Sequence, residues 1–398
     1  MNFKKYKISD VGSVITGKTP PTKNEEYFSV EKDKYLFITP RDMNINSKYI
    51  SETERYLTDF VTDKFSSLII DNKSICVSCI GTVGKVFIPK QLSITNQQIN
   101  SITNLKDFCN FDYLYYYLKQ NYKKIQSVAG GTTMPIVNKS SFEGIEIELP
   151  SLSDQLKIVK ILNKIDVKIE LNNKINNNLE EQLRLLFEEN ILKKLDDENT
   201  YECSLYDQFD VIDNRGKTPP LVEYSKYPII DVKVLSGTGR VINYNNCLKY
   251  VDKETYDTFF RSGHPKLYDT LLSTVGSLAE LKIYLENIGT IAQNVVALRP
   301  KNDYPLFMYQ YILSLRQRLT SYDIGSVQPS IKVTQFMKEI IKIPKDKELI
   351  YKFENLATAN TLKMENLMKE NRYLEQLRDT LLPKLMNGEV SMNGIDVS

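Results

Sequence analysis

The sequence predicts an α+β fold in which two similar globular domains, each mixing helices and strands, are separated by two long antiparallel coiled-coil helices. Two observations lead to this fold class. The chain of 398 residues contains two similar copies of one sequence pattern. Each copy opens with short strand-like runs and closes with a long helical pattern that carries a heptad seam. Each copy is far longer than the roughly 20–50 residues of a solenoid unit, so we expect two whole folding units in a pseudo-two-fold internal repeat.

The repeat is visible in matched motifs. The run Gly-Lys-Thr-Pro-Pro at residues 17–21 returns at residues 216–220, and Glu-Gln-Leu-Arg at residues 181–184 returns at residues 375–378. Between these anchors the register holds with small slips. Residues 78–81 match residues 273–276, Gln97 matches Gln293, and Pro135 and Pro150 match Pro329 and Pro344.

Composition and charge limit the classes of function that this chain can have. Hydrophobic residues make up 41% of the chain and charged residues 26%, and residues 1–7 lack the apolar stretch of a signal peptide, so we expect a cytoplasmic globular protein. Five cysteines at uneven spacings do not suggest a disulfide framework. The net charge is only +2. A nucleic-acid function therefore requires clustered cations, or partner chains that supply phosphate contacts.

Residues 1–150 are predicted to form the first globular domain. Short β-type runs alternate there with Gly, Pro, Asn and Asp. One helix is predicted at residues 113–126, where Leu114, Leu118 and Ile125 share a face. The predicted strands lie at residues 36–39, 74–78, 86–88 and 145–149.

Residues 151–198 are predicted to contain the first long helix. Ser153 can cap its N-terminus, and no Gly or Pro follows before Gly216. Apolar residues then alternate at spacings of four and three, which is the seam of a coiled coil. Asn172 and Asn176 interrupt the seam and either fix the register of a helix pair or face solvent. The seam positions are Ile158, Leu162, Ile165, Ile169, Asn172, Asn176, Leu179, Leu183 and Leu186.

The second copy repeats the plan, with a globular domain at residues 199–345 and a second long helix within residues 346–398. Strands are predicted at residues 227–231, 269–273, 283–285 and 294–298, and a helix at residues 307–319. Pro383 and Gly388 are expected to mark the end of the long helix. Because helices of this length need a partner, we expect the two to pair antiparallel. The second seam is predicted at Phe353, Leu356, Leu367, Leu374, Leu377 and Leu381.

The first Gly-Lys-Thr motif also matches a phosphate-binding loop. Residues 12–19 fit the pattern G-x-x-x-x-G-K-T, which taken alone indicates a nucleotide hydrolase. That loop must open a helix, whereas Pro20 and Pro21 remove the amide donors that would face the phosphates. The second copy has Val211 where the first glycine would lie. We therefore interpret the motif as a tight turn that presents a lysine and a hydroxyl, with nucleotide hydrolysis as an alternative.

Residues typical of catalysis or metal binding are sparse. Cys76 and Cys79 lie in an apolar strand-like run without a second pair at zinc spacing, which favours core cysteines. His264 is the only histidine. It lies in a basic turn, where it is either a solvated loop residue or a nucleic-acid contact. The sequence thus favours a chain without catalytic activity.

Polar loops recur at matched positions in both copies. Their Arg, Lys, Gln and Asn side chains can read the edges of bases, and their Ser, Thr and glycine amides suit phosphates. Loops are also commonly polar without any such role. These loops lie at residues 39–42, 81–85 and 96–98, and at residues 231–233, 273–277 and 293–294.

Three segments together resemble the specificity subunit of type I restriction-modification systems. They are residues 149–158, which lead into the first long helix, the paired Gly-Lys-Thr-Pro-Pro turns, and residues 381–389. The resemblance covers the whole chain as target-recognition domain, spacer helix, target-recognition domain and spacer helix. The second copy departs from the pattern at residues 344–348, which lack the counterpart of Gln155.

The resemblance implies a non-catalytic subunit that binds a split, asymmetric sequence of double-stranded DNA, one half per recognition domain. It implies that two modification (methyltransferase) subunits dock on the long helices and that restriction (motor-nuclease) subunits join them. S-adenosylmethionine, ATP and Mg would then be bound by those partners, and no cofactor or metal by this chain.

Carried over by position, the DNA-facing candidates are Lys18, Thr19, Arg41, Thr82, Lys85, Gln97 and Gln98 in the first copy and Lys217, Thr218, Lys233, Arg240, Arg261, His264, Lys266 and Gln293 in the second. The partner-binding candidates on the helices are Ile158, Leu162, Ile165, Ile169, Leu179, Leu183, Leu186, Leu356, Leu367, Leu374, Leu377 and Leu381. The rival interpretation is a coiled-coil scaffold whose globular ends bind proteins or glycans, and it needs no salt-sensitive affinity for DNA.

Overall fold

The computed structural model describes residues 1–43, 48–131, 134–323 and 329–390. The chain divides into two compact units: unit one, residues 1–166 with 376–398, and unit two, residues 167–375. Each unit therefore contains one globular domain and a part of both long helices. No described helix is both long enough and apolar enough to cross a membrane.

Unit one is built from short strands and short helices. Its strands are β1 (Lys4–Lys7), β2 (Ser13–Thr16), β3 (Phe28–Ser29), β4 (Tyr35–Ile38), β5 (Tyr49–Ile50), β6 (Tyr56–Leu57), β7 (Ile75–Ser78), β8 (Val86–Pro89), β9 (Ser93–Thr95), β10 (Ile99–Thr103) and β11 (Glu146–Leu149). Its short helices are α1 (Ile8–Val11), α2 (Thr62–Phe65), α3 (Phe111–Gln120), α4 (Tyr122–Ser127) and α5 (Lys139–Glu143).

The central sheet of unit one has the strand order β2-β10-β7-β8-β5, and a second sheet has the order β3-β6-β4-β9. All residues of strand β7 are buried. Because successive side chains of a strand point to opposite faces, both faces of β7 are covered. Cys76 packs with Leu36 and Phe87, whereas Cys79 and Leu114 belong to a different cluster. The prediction that these two cysteines are core residues is confirmed, and they lie in different clusters. Burial raises the pKa of Cys76 to about 12.

The first long helix is α6 (Leu152–Asn190), and it leads into unit two. The strands of unit two are β12 (Thr200–Ser204), β13 (Phe209–Asp213), β14 (Ile229–Ile230), β15 (Thr270–Ser273), β16 (Leu281–Ile283), β17 (Thr290–Ile291), β18 (Val295–Pro300) and β19 (Ile340–Pro344). Its helices are α7 (Leu205–Gln208), α8 (Val232–Leu235), α9 (Lys253–Phe259), α10 (Pro305–Ser314), α11 (Arg316–Thr320) and α12 (Val333–Phe336), and the chain continues into the second long helix, α13 (Lys347–Met386).

The two units repeat each other in topology. The order β13-β18-β15-β16 in unit two matches β2-β10-β7-β8 in unit one, and the parallel pair β14-β17 matches β4-β9. In each unit the first strand pairs with the strand that precedes a long helix, β1 with β11 and β12 with β19. The predicted internal repeat is therefore confirmed as a repeat of fold.

The repeat extends to single hydrogen bonds. The amide of Gly81 donates to the carbonyl of Pro135 over 3.1 Å, and the amide of Gly276 donates to the carbonyl of Pro329 over the same distance. The hydroxyl of Ser78 accepts a hydrogen bond from the amide of Lys85 over 3.0 Å, and the hydroxyl of Ser273 accepts one from the amide of Glu280 over 2.8 Å. In both units the donor lies seven residues after the serine.

Most predicted strands and helices are present, with corrected bounds. The strand predicted at residues 283–285 ends at Ile283. The helix predicted at residues 113–126 is α3 and α4, which are separated at Asn121. The helix predicted at residues 307–319 is likewise divided, into α10 and α11, at Leu315.

The two long helices pair antiparallel within each unit. In unit one, Ile158 near the start of α6 shares a core cluster with Leu385 near the end of α13. In unit two, the rings of Phe187 and Phe353 lie 5.0 Å apart, and Asn172 contacts Asn371. As the residue numbers rise along α6, the residues that they contact on α13 have falling numbers. The two helices are therefore antiparallel, as predicted.

Asn172 lies inside the helix pair and does not face solvent. Its side chain is fully buried, and its Nδ2 donates to Oδ1 of Asn371 over 2.9 Å and to Oε2 of Glu370 over 2.8 Å. A buried amide pair of this kind restricts a helix pair to the register in which both partners meet.

The seam predicted for α13 is confirmed at Phe353, which is buried, but its other positions do not lie on the buried face. Leu356 is 41% exposed, and Leu367, Leu374, Leu377 and Leu381 are half-buried. One row of buried positions recurs every seven residues and includes polar side chains, which the apolar pattern could not reveal. They are Ile350, Ala357, Met364, Asn371, Arg378 and Leu385. The helix also continues through Pro383 to Met386, so Gly388, at φ +74°, follows its end.

Candidate DNA interface

The Gly-Lys-Thr-Pro-Pro turn of unit one lies beside the polar loop at residues 96–98. The amide of Gly17 donates to the carbonyl of Ile99 over 3.1 Å, and the hydroxyl of Thr19 donates to Oε1 of Gln97 over 2.8 Å. Lys18 and Gln97 are exposed. Residues 13–16 form strand β2, so the segment that matched a phosphate-binding loop is an extended strand and the nucleotide-hydrolase alternative is not supported.

Gly17 allows this close approach. A Cβ at this position would lie 2.2 Å from Oγ1 of Thr95 and 2.3 Å from the carbonyl oxygens of Thr95 and Asn96. Such separations are far below van der Waals contact, so any side chain would push the turn away from the loop.

We expect Gly17→Ala to lower the free energy of unfolding of unit one by about 1–3 kcal/mol, because overpacking forces backbone shifts. Urea unfolding of the purified chain measures this change. Gly130→Ala is the matched control, since a Cβ there meets nothing within 4 Å. Equal stabilities of the two variants would contradict the packing argument.

A cleft of about 520 Å³ lies next to this turn. It is lined by residues of three loops and by the two residues that precede strand β6, and we call it the unit-one cleft. The structure brings three of the predicted DNA-facing residues to it. Its polar lining includes Arg41, Glu54, Arg55, Thr82, Asn96 and Gln98.

Internal hydrogen bonds hold the loops around the unit-one cleft. Oδ2 of Asp42 accepts from the amide and the hydroxyl of Thr39, over 2.7 and 2.8 Å. Nδ2 of Asn96 donates to Oε1 of Gln98 over 2.9 Å, and the amide of Gln98 donates back to Oδ1 of Asn96 over 3.1 Å. Arg41 and Thr82 are exposed at the rim. Such a cleft presents donors and acceptors in fixed positions, which is what base recognition needs.

Lys85 is half-buried and has a structural contact. Its Nζ donates to the carbonyl of Met43 over 3.1 Å, so it ties the loop at residues 81–85 to the segment that follows Arg41. The lysine therefore supports the unit-one cleft from behind in this structure.

The candidates of unit two divide into exposed and internal residues. Exposed are Lys217, Thr218, Lys233, Arg261, Lys266 and Gln293. No hydrogen bond or ion pair joins any two of these six side chains within the described ranges. Lys233 is the counterpart of Arg41, because the amides of Ala292 and Asn96 donate to the carbonyls of Ile230 and Ile38 at matched places.

His264 is engaged within unit two. Its ring stacks on Tyr256 at 3.8 Å, with Nδ1 2.9 Å from the hydroxyl of Thr290 and Nε2 3.0 Å from the carbonyl of Tyr256. Burial lowers the pKa of His264, opposed by the hydrogen bond to Tyr256. Because both ring nitrogens have partners within unit two, His264 holds its loop in position and is not a solvated loop residue.

The prediction that Arg240 faces DNA was wrong. Its side chain is 0% exposed and forms an ion pair with Glu180 of α6 at 2.8 Å. It also donates to Gln310 of α10 over 2.7 Å and to Thr361 of α13 over 3.3 Å, and its guanidinium lies over the ring of Tyr309. Arg240 therefore joins the globular part of unit two to both long helices.

Lys48 is the counterpart of Arg240 in unit one. The carbonyls of Lys48 and Arg240 accept hydrogen bonds from the amides of Ile88 and Ile283, at matched places in the repeat. Nζ of Lys48 forms an ion pair with Asp112 of α3 at 2.8 Å and donates to Asn163 of α6 over 3.0 Å. Each unit thus uses one buried cation to join its sheet to a long helix.

The sequence of this chain is similar to those of known proteins. The family model described as the type I restriction modification DNA specificity domain matches residues 1–181. A type I restriction enzyme specificity subunit of Methanocaldococcus jannaschii is 27% identical over 96% of this chain and 92% of its own length. One from Haemophilus influenzae is 40% identical over 39% of this chain and 35% of its own length. The chain is thus similar to type I specificity subunits over nearly its whole length.

The fold agrees with this family. The crystal structure of a type I restriction-modification S subunit from M. genitalium aligns over 96% of both chains with a TM-score of 0.53 at 20% identity. The resemblance seen in the sequence is confirmed, and the scaffold interpretation is not favoured. The globular parts of the two units correspond to the predicted target-recognition domains, and α6 and α13 to the predicted spacer helices.

The surface of the spacer helices differs from the predicted partner-binding set. Ile158, Leu162 and Leu183 are fully buried and Ile165 is nearly so, which makes them core residues without a free surface. Ile169 and Leu179 are half-buried. Leu186 is 38% exposed. Leu186 and Leu356 of the predicted set are accessible, and further accessible apolar side chains on the helices were not predicted, among them Val167, Leu171, Ile175, Leu185 and Leu362.

Proposed function

We propose that this specificity subunit reads a bipartite, asymmetric sequence of double-stranded DNA, with one half-site bound by each target-recognition domain. The observation that supports this most is that one hydrogen-bonded framework occurs in both units while the side chains on its loops differ. Arg41 is replaced by Lys233, Asn96 by Ala292 and Gln98 by Asn294. A shared framework with different readers suits two similar but unequal half-sites.

Methylation and cleavage are proposed to belong to partner subunits. Two modification subunits would dock on the spacer helices, where accessible apolar side chains such as Val167 and Leu171 interrupt a charged surface. Restriction subunits would join this assembly. S-adenosylmethionine, ATP and Mg would be bound by those partners, and this chain would supply the DNA sequence specificity.

The salt dependence of DNA binding tests the proposal. With its modification subunits present, the chain should bind its own target duplex more weakly as salt rises, with a log-log slope of roughly −0.9 per neutralised phosphate. Lys217→Ala should reduce the magnitude of that slope by about one phosphate if the exposed turn contacts the backbone. Lys34→Ala, which removes an exposed cation paired with Asp59, serves as control. Binding that does not change with salt would contradict the proposal.

A further inference from the structure

Arg55 of the unit-one cleft is held in an unusual way. Its guanidinium carbon lies 4.9 Å from the centroid of the Phe28 ring and 5.4 Å from that of Phe37. Two aromatic contacts fix the plane of the guanidinium at little cost, because arginine stacks on rings while its N–H groups remain available. The side chain is half-buried and lines the cleft.

The N–H groups of Arg55 have no partner in the part of the chain that the structure describes. Among the described residues its guanidinium has no hydrogen-bond or ion-pair partner. The nearby carboxylate of Asp42 is engaged by the amides of Thr39 and Glu54. A half-buried guanidinium whose donors are all unengaged is expected to have an external acceptor.

The neighbours of Arg55 favour a base over a phosphate as that acceptor. Glu54 also lines the unit-one cleft, and a carboxylate there repels phosphate but accepts a hydrogen bond from the amino group of cytosine. The amides of Asn96 and Gln98 complete the lining. Arg, Glu, Asn and Gln together are the side chains that distinguish bases by their edges in the major groove.

Unit two differs at the matched position. The amide of Phe37 donates to the carbonyl of Arg55, and the amide of Ile229 donates to the carbonyl of Lys249, so Lys249 is the counterpart of Arg55. Lys249, however, forms an ion pair with Asp231 at 2.9 Å, where unit one has Thr39. Within the described ranges, the cation is paired with a carboxylate in unit two and has no ion-pair partner in unit one.

We propose that Arg55 is a specificity-determining residue that reads a guanine in the half-site bound by unit one. The guanidinium donates two hydrogen bonds to O6 and N7 of that guanine in the major groove, and Phe28 and Phe37 hold it in position. This inference rests on the proposed function, since it assigns a residue and a base to one of the two half-sites.

The test compares Arg55→Lys and Arg55→Gln in the complete complex with its modification subunits. The methylated motif is mapped by sequencing, and methylation is measured on duplexes that carry each base at each position. Both variants should lose the preference for guanine at one position of one half-site by roughly 5- to 150-fold. The other half-site should stay unchanged. Lys34→Gln removes an exposed cation from the same unit and should keep the whole motif.

The outcomes separate the inference from the proposed function. Arg55→Lys keeps the charge and the side-chain stem, so it decides the matter if Arg55→Gln fails to fold. A wild-type bipartite motif that Arg55→Lys leaves unchanged overturns the inference alone. Equal weakening at every sequence, with a smaller salt slope, also overturns it, because it indicates a phosphate contact. A wild-type complex without any bipartite motif overturns the proposed function and this inference with it.

Discussion

Arg240→Ala is expected to lower the free energy of unfolding of unit two by about 3–5 kcal/mol. Removing one partner of a buried ion pair leaves the other charge without compensation, and that is the costly case. Arg240 is 0% exposed and Glu180 only 18% exposed. The substitution also leaves Gln310 and Thr361 without their donor. Urea unfolding followed by circular dichroism measures the change.

Two variants control this prediction. Arg184→Ala removes an arginine of α6, the helix that carries Glu180, and its partners Glu181 and Glu188 are exposed, so it should change stability only slightly. The double variant Arg240→Met with Glu180→Leu should recover much of the loss, since an apolar pair can replace a buried ion pair. If Arg240→Ala were as stable as Arg184→Ala, the buried cation would not join unit two to its helices.

Lys282→Met is expected to change how the stability of unit two depends on pH. Burial lowers the pKa of Lys282 to about 8, an effect that Glu180 and Glu280 oppose and Arg316 reinforces. Its Nζ donates to the carbonyls of Thr238 and Gly239, which directly precede Arg240. The lysine thus fixes the loop that delivers the buried arginine.

The direction follows from the two protonation states. The unfolded lysine, with a pKa near 10.5, binds a proton between pH 8 and 10.5 that the folded lysine has released. Stability therefore rises with pH across this window. The wild-type free energy of unfolding, minus that of Lys282→Met, should rise by about 3 kcal/mol from pH 8 to pH 10.5. Tyrosines and cysteines also titrate there but cancel in the difference. A difference that stays constant with pH would contradict the assigned pKa.

The sequence predicted the fold well where apolar side chains form the seam. On α6 the leucine and isoleucine spacing correctly identified Ile158, Leu162 and Leu183 as facing inward. On α13 the buried seam includes Asn371 and Arg378. A pattern search selects apolar residues, so it followed the neighbouring leucines, which do not lie on the buried face.

The recognition surface was harder to predict, because burial of a charged residue depends on partners far away in sequence. Arg240 follows a Ser-Gly-Thr-Gly run that is typical of an exposed loop, and only Glu180 and Thr361 explain its burial. Arg55 lies in a charged stretch and was not singled out. Arg55 lies directly before the strand residues Tyr56 and Leu57, which orient it toward the sheet. This position is the signal that could have identified Arg55.

Exchanging one recognition domain tests the central claim most directly. Residues 1–150 are replaced by the corresponding domain of a known type I specificity subunit, and methylated bases are mapped in cells that carry the modification subunits. We predict that one half of the methylated motif is replaced and that the other half is retained. A change in both halves, or in neither, would contradict the claim that each unit reads its own half-site.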